Sequence, residues 1–206
     1  MSAFLRLLRY VRRTILRART RSLLTVLGTA LALGLFVFVN TLERGVDRFS
    51  EASDVPVLVV FQSSRFCPLT SQLPMRYADE IVRMEGVEAV LPTLLYTNSC
   101  RANLDLVTLH GVKEDALGAI HRLEAVEGDL TSWTARSDGA LVGHRLAKRR
   151  GIRIGERLRL GNVDILVSGI VRSPGGALDN VAFVHLGQLQ LARGLQGQAT
   201  EFLVRL

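Results

Sequence analysis

Residues 22–42 form an apolar run, SLLTVLGTALALGLFVFVNTL, that contains no charged side chain. At a rise of ~1.5 Å per residue, an α-helix of this length spans ~31 Å, which matches the hydrocarbon core of a bilayer. A single segment satisfies its backbone hydrogen bonds at that depth only as a helix. The sequence therefore predicts a transmembrane helix over residues 22–42.

A cleaved signal peptide is the alternative to a permanent anchor, because Ala30-Leu31-Ala32 resembles a cleavage site. The apolar core of a signal peptide usually has ~7–15 residues. Here the apolar run continues beyond that site through residues 33–39. Its length favours an anchor over a signal peptide, and also over a helix buried in a soluble protein.

The arginines of residues 1–21 account for the whole net charge of +7, and this stretch contains no Asp or Glu. A nucleic-acid-binding domain would instead carry its positive charge on a folded surface. We therefore expect no nucleic-acid partner. By the positive-inside rule, the arginine-rich N-terminus is predicted to be cytoplasmic and residues 43–206 extracytoplasmic.

The same N-terminal stretch, residues 1–21, has the pattern of an amphipathic helix lying on the membrane surface. Apolar residues form one helical stripe and arginines the opposite stripe: the first is Phe4, Leu8, Val11 and Ile15, and the second is Arg6, Arg9, Arg13 and Arg17. Such arginines lie among anionic lipid head groups, where each contributes ~1 kcal/mol. A disordered tail that only sets topology is the alternative, because charge alone suffices for orientation.

Small residues are spaced four apart within the apolar run, as Gly28 with Ala32 and as Ala30 with Gly34. This spacing allows the backbone of a second helix to approach closely. We expect Gly28, Ala32 and Gly34 to pack against a neighbouring helix of the same chain or of another.

The remainder of the chain mixes strand-like and helix-like segments without strict alternation, which favours an α+β fold over a doubly wound sheet. We expect a stalk over residues 43–56 and one extracytoplasmic domain over residues 57–206, with a boundary between two small lobes near 126–138. Predicted strands cover residues 57–61, 87–96, 104–112, 139–143, 157–160, 163–169, 181–184 and 202–206. Predicted helices cover 77–86, 114–123, 144–150 and 186–193.

No motif in the sequence indicates catalysis or cofactor binding. The patterns G-x-x-x-x-G-K-[ST], H-E-x-x-H and G-x-S-x-G do not occur. The glycine-rich residues 173–180 are expected to form a tight turn rather than an anion-binding nest, and the pair Glu114/Asp115 to be solvated. Four histidines lack metal-ligand spacing: His110, His121, His144 and His185. The sequence predicts no enzyme, no cofactor and no metal.

Cys67 and Cys100 are the two cysteines of the chain, and both follow the predicted span. On the oxidising side of the membrane such a pair can persist as a disulfide. Closing the loop between them would add roughly 3.8 kcal/mol in the chain-entropy model. Two unpaired thiols are the alternative, because the sequence does not determine the distance between these residues.

Three segments carry a family resemblance: residues 19–28 (RTRSLLTVLG), residues 139–161 (GALVGHRLAKRRGIRIGERLRLG), and the strand-like stretches 165–171, 181–189 and 202–206. The first is similar to the way MacB/FtsX-type ABC transporter permeases enter their first transmembrane helix. The second resembles the "alvg..lA...g...Gd.l.lg" stretch of the MacB-like periplasmic core domain. The third set is similar to the strands that close that domain.

The resemblance implies a permease subunit, or its N-terminal half, in the cell inner membrane, as a homodimer or with a second permease subunit. It also implies a cytoplasmic ABC ATPase that drives the extracytoplasmic domain in export, lipoprotein extraction or cell-envelope work. Family members continue into three further transmembrane helices, so a chain that stops at Leu206 is expected to be truncated or to have lost that half. A membrane-anchored extracytoplasmic scaffold or regulator with no transport role is the alternative.

Overall fold

The computed structural model describes residues 19–51, 57–99 and 106–206. The chain divides into two compact units, the first ending at Glu51 and the second comprising residues 52–206. The arginines predicted to contact lipid, Arg6, Arg9, Arg13 and Arg17, lie outside the described residues, so the interfacial helix stays a prediction.

The first unit contains one long helix, α1, Arg19–Glu51. It includes the whole predicted span and also residues 43–51 of the predicted stalk. The sequence explains both the extension and its limit. The helix continues through Gly45, and no proline follows residue 42 until Pro56, whose ring removes a backbone donor and disfavours helical geometry at the residue before it.

The second unit is built on strands β1 Val57–Val60, β2 Leu73–Pro74, β3 Ala89–Ser99, β4 Leu106–Val112, β5 Glu124–Gly128, β6 Gly139–Gly143, β7 Arg157–Leu160, β8 Val163–Arg172, β9 Val181–His185, β10 Gln198–Ala199 and β11 Glu201–Arg205. Nine of these form one sheet in the order β1-β11-β3-β4-β9-β6-β8-β5, with β7 pairing to β8 beside this path. Strands β4 and β9 are parallel, as are β6 and β8, while the other pairs are antiparallel. Strands β2 and β10 form a small separate sheet.

The helices of this unit are α2 Arg76–Ile81, α3 Glu114–Ile120, α4 Leu130–Thr134, α5 His144–Arg150 and α6 Leu186–Arg193. Short 3-10 turns occupy Pro68–Thr70 and Pro174–Gly176. The mixed sheet with helices inserted between its strands confirms the predicted α+β class.

Both faces of the sheet are buried, as the central strands show. Along β6, Ala140 and Val142 belong to one apolar cluster with Leu146 of α5 and Leu189 of α6. Leu141 points to the other cluster, which contains residues of α3 and Trp133 of α4. Because side chains alternate along a strand, the two clusters cover opposite faces and give a three-layer helix–sheet–helix arrangement.

Most of the predicted elements occur where the sequence placed them; several strands differ from their predicted bounds by one to three residues, and two helices are shorter than predicted. The helix predicted over 77–86 ends at Ile81 and is followed by turns up to Gly86, and the helix predicted over 114–123 ends at Ile120. In the stretch near 126–138 the structure contains the end of β5 and all of α4, neither of which was predicted. The division into two lobes stays a prediction.

Candidate functional site

Helix α1 has the surface expected of a segment that crosses a membrane. Residues 19–45 are long and apolar enough to span a bilayer, with a mean hydropathy of 2.3 over the most apolar stretch. The large apolar side chains of this segment are more than half exposed in the chain by itself, as at Leu27, Leu31 and Phe36. A monomeric soluble protein would not leave such a continuous apolar surface in water.

The polar side chains within the span bond to the helix itself. Thr25 donates from Oγ1 to the carbonyl of Arg21 at 2.9 Å, and Asn40 donates from Nδ2 to the carbonyl of Phe36 at 2.8 Å. Thr29 and Thr41 make equivalent bonds one turn back. Each of these donors is therefore satisfied without water, as a hydrocarbon environment requires.

The small residues predicted to contact a second helix lie on the open surface of α1. A Cβ added at Gly28 or Gly34 meets no atom within 4 Å, and Ala32 is exposed. The positions are accessible to a partner helix, and the contact itself stays a prediction.

Of the two cysteines in the predicted disulfide, the structure describes only Cys67. Cys67 is exposed and precedes the 3-10 turn at Pro68–Thr70. Cys100 lies outside the described residues, so the pairing stays a prediction.

A polar cluster around the buried His185 joins α3, α4 and the end of β9. His185 is 7% exposed, its ring stacks on Trp133 with centroids 4.8 Å apart, and its Nδ1 lies 2.6 Å from Oε1 of Glu114. Its Nε2 lies 3.1 Å from the carbonyl oxygen of Trp133. Glu114 was predicted to lie on a solvated helix face and it is exposed there; its carboxylate also contacts His185 and so links α3 to the sheet.

The glycine-rich loop at residues 173–180 is closed by a carboxylate of its own. Asp179 is buried and accepts hydrogen bonds from the backbone N–H of Ser173 at 2.9 Å and from its hydroxyl at 3.2 Å. The same hydroxyl accepts from the N–H of Leu178 at 3.0 Å, and Arg145 lies 3.7 Å from Asp179. The loop is a tight turn, as predicted, and the carboxylate of Asp179 closes it by accepting from Ser173.

Burial shifts the pKa values of two further histidines and one glutamate. His110 and His121 both contact Phe183, with ring centroids 5.6 and 6.0 Å apart. The pKa of each is lowered to about 4, chiefly by desolvation, and for His110 also by the charge of His121. Burial of Glu201 on β11 raises its pKa to about 7. Desolvation disfavours the charged form in all three cases.

A cleft of ≈ 450 Å³ opens between α5 and β7 above the sheet. Its lining includes the apolar residues Leu146, Leu158 and Ile165 and also three arginines and one glutamate. The sequence motif at 139–161 contributes most of these residues, although nothing in its spacing indicated a cavity.

Within residues 19–51, 57–99 and 106–206, no group of three or more His, Cys, Asp or Glu side chains is placed to hold a metal ion. The polar clusters instead connect elements of the fold.

Comparison with known proteins gives a family model and several solved structures. The model for the MacB-like periplasmic core domain matches residues 22–206. No curated protein matches the sequence.

Two solved structures share the fold at 12% sequence identity. The periplasmic region of MacB from Actinobacillus actinomycetemcomitans has a TM-score of 0.58, covering 76% of this chain and 77% of that one. The extracellular domain of the noncanonic ABC-type transporter YknZ from Gram-positive bacteria has a TM-score of 0.53, covering 73% of this chain and 81% of that one.

Proposed function

The chain belongs to the family of MacB-like periplasmic core domains, and from this premise we propose that it is a permease subunit, or its N-terminal part, of an ABC transporter. In this proposal the domain over residues 57–206 is extracytoplasmic and couples ATP hydrolysis in the cytoplasm to export, lipoprotein extraction or cell-envelope work. The observation that carries the proposal is the extent of the family match. The match begins at residue 22, inside α1, and extends to residue 206.

The energy source in this proposal is another polypeptide or domain. The sequence contains no phosphate-binding loop of the G-x-x-x-x-G-K-[ST] type, so this chain by itself lacks the part that holds ATP phosphates. The partners we propose are an ABC ATPase and either a second copy of this chain or a second permease subunit. Membrane lipid is a further partner, through α1 and the arginine-rich N-terminus.

The location we propose is the cell inner membrane, with the N-terminus in the cytoplasm. The positive charge before residue 22 supports this orientation, because Lys and Arg flanking a span are retained on the cytoplasmic side. The apolar surface of α1 and its internally satisfied threonines support a permanent span.

Helix α1 is suited to transmit movement because it continues past its apolar part. The apolar segment ends at Gly45, whereas the helix ends at Glu51, and five residues separate that end from β1. A helix is stiff along its axis, so a shift of the span in the bilayer is carried to residue 51. Through Gly28, Ala32 and Gly34, neighbouring helices of the transporter would move α1.

The test is whether ATP hydrolysis co-purifies with the chain and depends on α1. The full chain, tagged and isolated from its own cells in detergent, should carry ATPase activity. Replacing Gly28 or Gly34 with Leu should lower that activity several-fold, because bulk at a small-residue helix contact separates the helices. Leu33→Phe is the matched control, since it adds bulk on the helix face between the two small-residue pairs.

A chimera in which an unrelated single-span helix replaces residues 19–45 separates this proposal from a scaffold. A permease loses the co-purifying ATPase in the chimera. Retention of the same ATPase activity by the chimera, or absence of ATPase from the wild-type preparation, contradicts the proposal and favours an anchored scaffold or regulator.

A further inference from the structure

The two edges of the nine-stranded sheet differ in charge and in regularity. One edge is formed by β5 and β7, which both pair with β8, and it carries four charged residues: Glu124, Glu127, Arg157 and Arg159. The pairing of β5 with β8 also contains a bulge between Ala125 and Glu127. Charged side chains and bulges discourage a second chain from pairing with a sheet edge, so this edge is protected.

The opposite edge, β1, has neither a charge nor a bulge. Residues 57–61 have the sequence VLVVF, and β1 pairs with β11 in a regular register. Leu58 is 53% exposed and Val59 is 47% exposed, and the large side chains of Val60 and Phe61 are exposed as well. In the part of the chain that the structure describes, no strand lies on the outer side of β1. An unprotected apolar edge of this kind favours pairing with another strand.

The pairing of β11 shows which backbone groups of β1 are used inside the sheet. Phe202 of β11 lies opposite Pro92 of β3 and opposite Val60 of β1. Because proline has no N–H, the hydrogen bonds of Phe202 are directed to Val60. Two residues further on, the N–H of Gln62 donates to Oγ of Ser71 at 2.9 Å, and Ser71 is buried, so this bond also points into the domain. The even-numbered residues of this segment therefore bond inwards.

The backbone groups of Val57, Val59 and Phe61 point to the open side of β1, because hydrogen-bonding directions alternate along a strand. Among the described residues, these three make no backbone hydrogen bond outside the pairing of β1 with β11. Their N–H and C=O groups recur at every second residue, as in the ladder between two extended chains. The partner that satisfies all of them is therefore another extended backbone rather than a small ligand.

We propose that β1 pairs with the β1 strand of a second copy of this chain, antiparallel and about a two-fold axis at Val59. Val59 then lies opposite itself, and the other two pairs are Val57 with Phe61 and Leu58 with Val60. Opposite residues of an antiparallel pair point to the same face of the sheet, so each contact joins two apolar side chains. The contact uses the same surface on both copies, as two-fold symmetry requires.

The charge pattern favours a second copy as the occupant of this edge. The nearest charged residues in the sequence are Asp54 and Arg65, so self-pairing of residues 57–61 brings no like charges together. Self-pairing of β5 would instead place glutamates close to one another. The proposal rests on the association of two copies named in the proposed function, and it requires no ATPase.

Disulfide cross-linking of the full chain in its own cell membranes tests the pairing, in a background with Cys67→Ser and Cys100→Ser. Opposite residues of a hydrogen-bonded antiparallel pair have Cα atoms ~5.5 Å apart, which is within reach of a disulfide. Val59→Cys should therefore form mostly covalent dimers on mild oxidation. Val126→Cys is the matched control and should give no dimer, because Val126 is 40% exposed on β5 at the protected edge. Equal dimer yields, or no dimer with Val59→Cys, would overturn the proposal.

Two differently tagged copies, expressed together, test the register of the pairing. With Val57→Cys in one copy and Phe61→Cys in the other we expect a mixed dimer, whereas either substitution by itself should give little dimer. Identical cysteines at either position would lie ~13 Å apart, since they are offset by four residues of ~3.3 Å each. A mixed dimer no more abundant than the dimer of Val57→Cys alone contradicts a two-fold axis at Val59.

Adding Val59→Lys to both tagged copies should lower the yield of the mixed dimer about tenfold, because two ammonium groups then lie opposite each other. Val126→Lys is the matched control and should leave the yield unchanged, and the fluorescence of the buried Trp133 should show that both variants remain folded. An unchanged yield with Val59→Lys would overturn the proposal. Absence of ATPase from the preparation contradicts the proposed function and leaves these cross-linking yields unaffected.

Discussion

Single titratable residues give the domain a pH-dependent stability. His110 and His121 have folded-state pKa values of about 4, below their ordinary value of 6.5, so the unfolded state binds more protons. Their contribution is complete above pH 6.5 and is lost as the pH falls towards 4. Glu201 has the opposite sign: its folded-state pKa of about 7 exceeds 4.5, so its contribution is lost as the pH rises through this interval.

Between pH 4.5 and 6.5 the two histidines contribute more to the pH dependence of stability than the one carboxyl group does. We expect the free energy of unfolding to rise with pH by about 1 kcal/mol per unit in this window. Urea titrations of the detergent-solubilised chain, followed by the fluorescence of Trp133, measure it, because Trp133 is the single tryptophan and is buried.

Two substitutions separate the opposing contributions to this slope. His121→Gln should bring the slope close to zero, since it leaves one histidine against one carboxyl group. Glu201→Gln should about double the slope, because it removes the carboxyl group whose contribution opposes that of the histidines. Slopes that stay at the wild-type value in both variants would show that these groups do not control the pH dependence.

The two cysteines provide a second test at this scale. If Cys67 and Cys100 are joined, titration of the unreduced, denatured chain with a thiol reagent should detect no free thiol, and prior reduction should release two. Cys67→Ser gives the matched control, because it should expose one thiol without reduction. Two reactive thiols in the unreduced wild-type chain would rule out the bridge.

Residue roles of this kind are only partly visible in the sequence. The apolar character of residues 22–42 can be read directly from the sequence, and so can the lack of the catalytic motifs named above. The contact between Glu114 and His185 cannot, because the fold alone brings α3 to the end of β9. The low pKa of His110 likewise comes from burial in the folded domain. The local sequence of β4 does not show that His110 is buried.

The turn between β6 and α5 requires a glycine, because it leaves no space for a side chain. Gly143 ends β6 directly before α5, where the backbone of Asp179 crosses closely. A Cβ at this position would lie 2.4 Å from the carbonyl oxygen of Asp179 and 2.8 Å from that of Leu178. Both are backbone atoms fixed by the closed loop at residues 173–180, so neither can move aside easily.

We therefore expect Gly143→Ala to lower the free energy of unfolding by about 2–4 kcal/mol. Gly187→Ala is the matched control: Gly187 lies in α6 and an added Cβ there meets nothing within 4 Å. Alanine is the better helix former by about 1 kcal/mol, so this control should be neutral or slightly stabilising. Similar unfolding midpoints for the two variants in urea would contradict the proposed close contact.

Elements with clear end signals were predicted well. Helices α5 and α6 match their predicted bounds, and each ends at a glycine in the left-handed conformation, Gly151 with φ 66° and Gly194 with φ 66°. Strand β5, with the sequence EAVEG, was missed because it is exposed along its length and has one β-branched residue. Its place at the end of the sheet comes from pairing with β8, which local sequence does not encode.

For the whole molecule, the decisive property is the asymmetry of charge around α1. The arginines before residue 22 oppose translocation of the N-terminus, whereas the sequence after residue 42 has no comparable excess of positive charge. If this asymmetry sets the topology, all of residues 57–206 lie outside the cytoplasm. The proposed permease function and the proposed disulfide both depend on this orientation.

Cysteine labelling in cells tests the orientation directly. In a background with Cys67→Ser and Cys100→Ser, we expect Leu130→Cys to react with a membrane-impermeant maleimide in intact cells, because Leu130 is 36% exposed on the domain surface. Tyr10→Cys should react only after the membrane is disrupted, because the arginine-rich segment stays cytoplasmic. Labelling both variants after detergent lysis controls for the reactivity of each thiol. Reaction of Tyr10→Cys but not Leu130→Cys in intact cells would reverse the topology and, with it, remove the basis for an extracytoplasmic domain driven by a cytoplasmic ATPase.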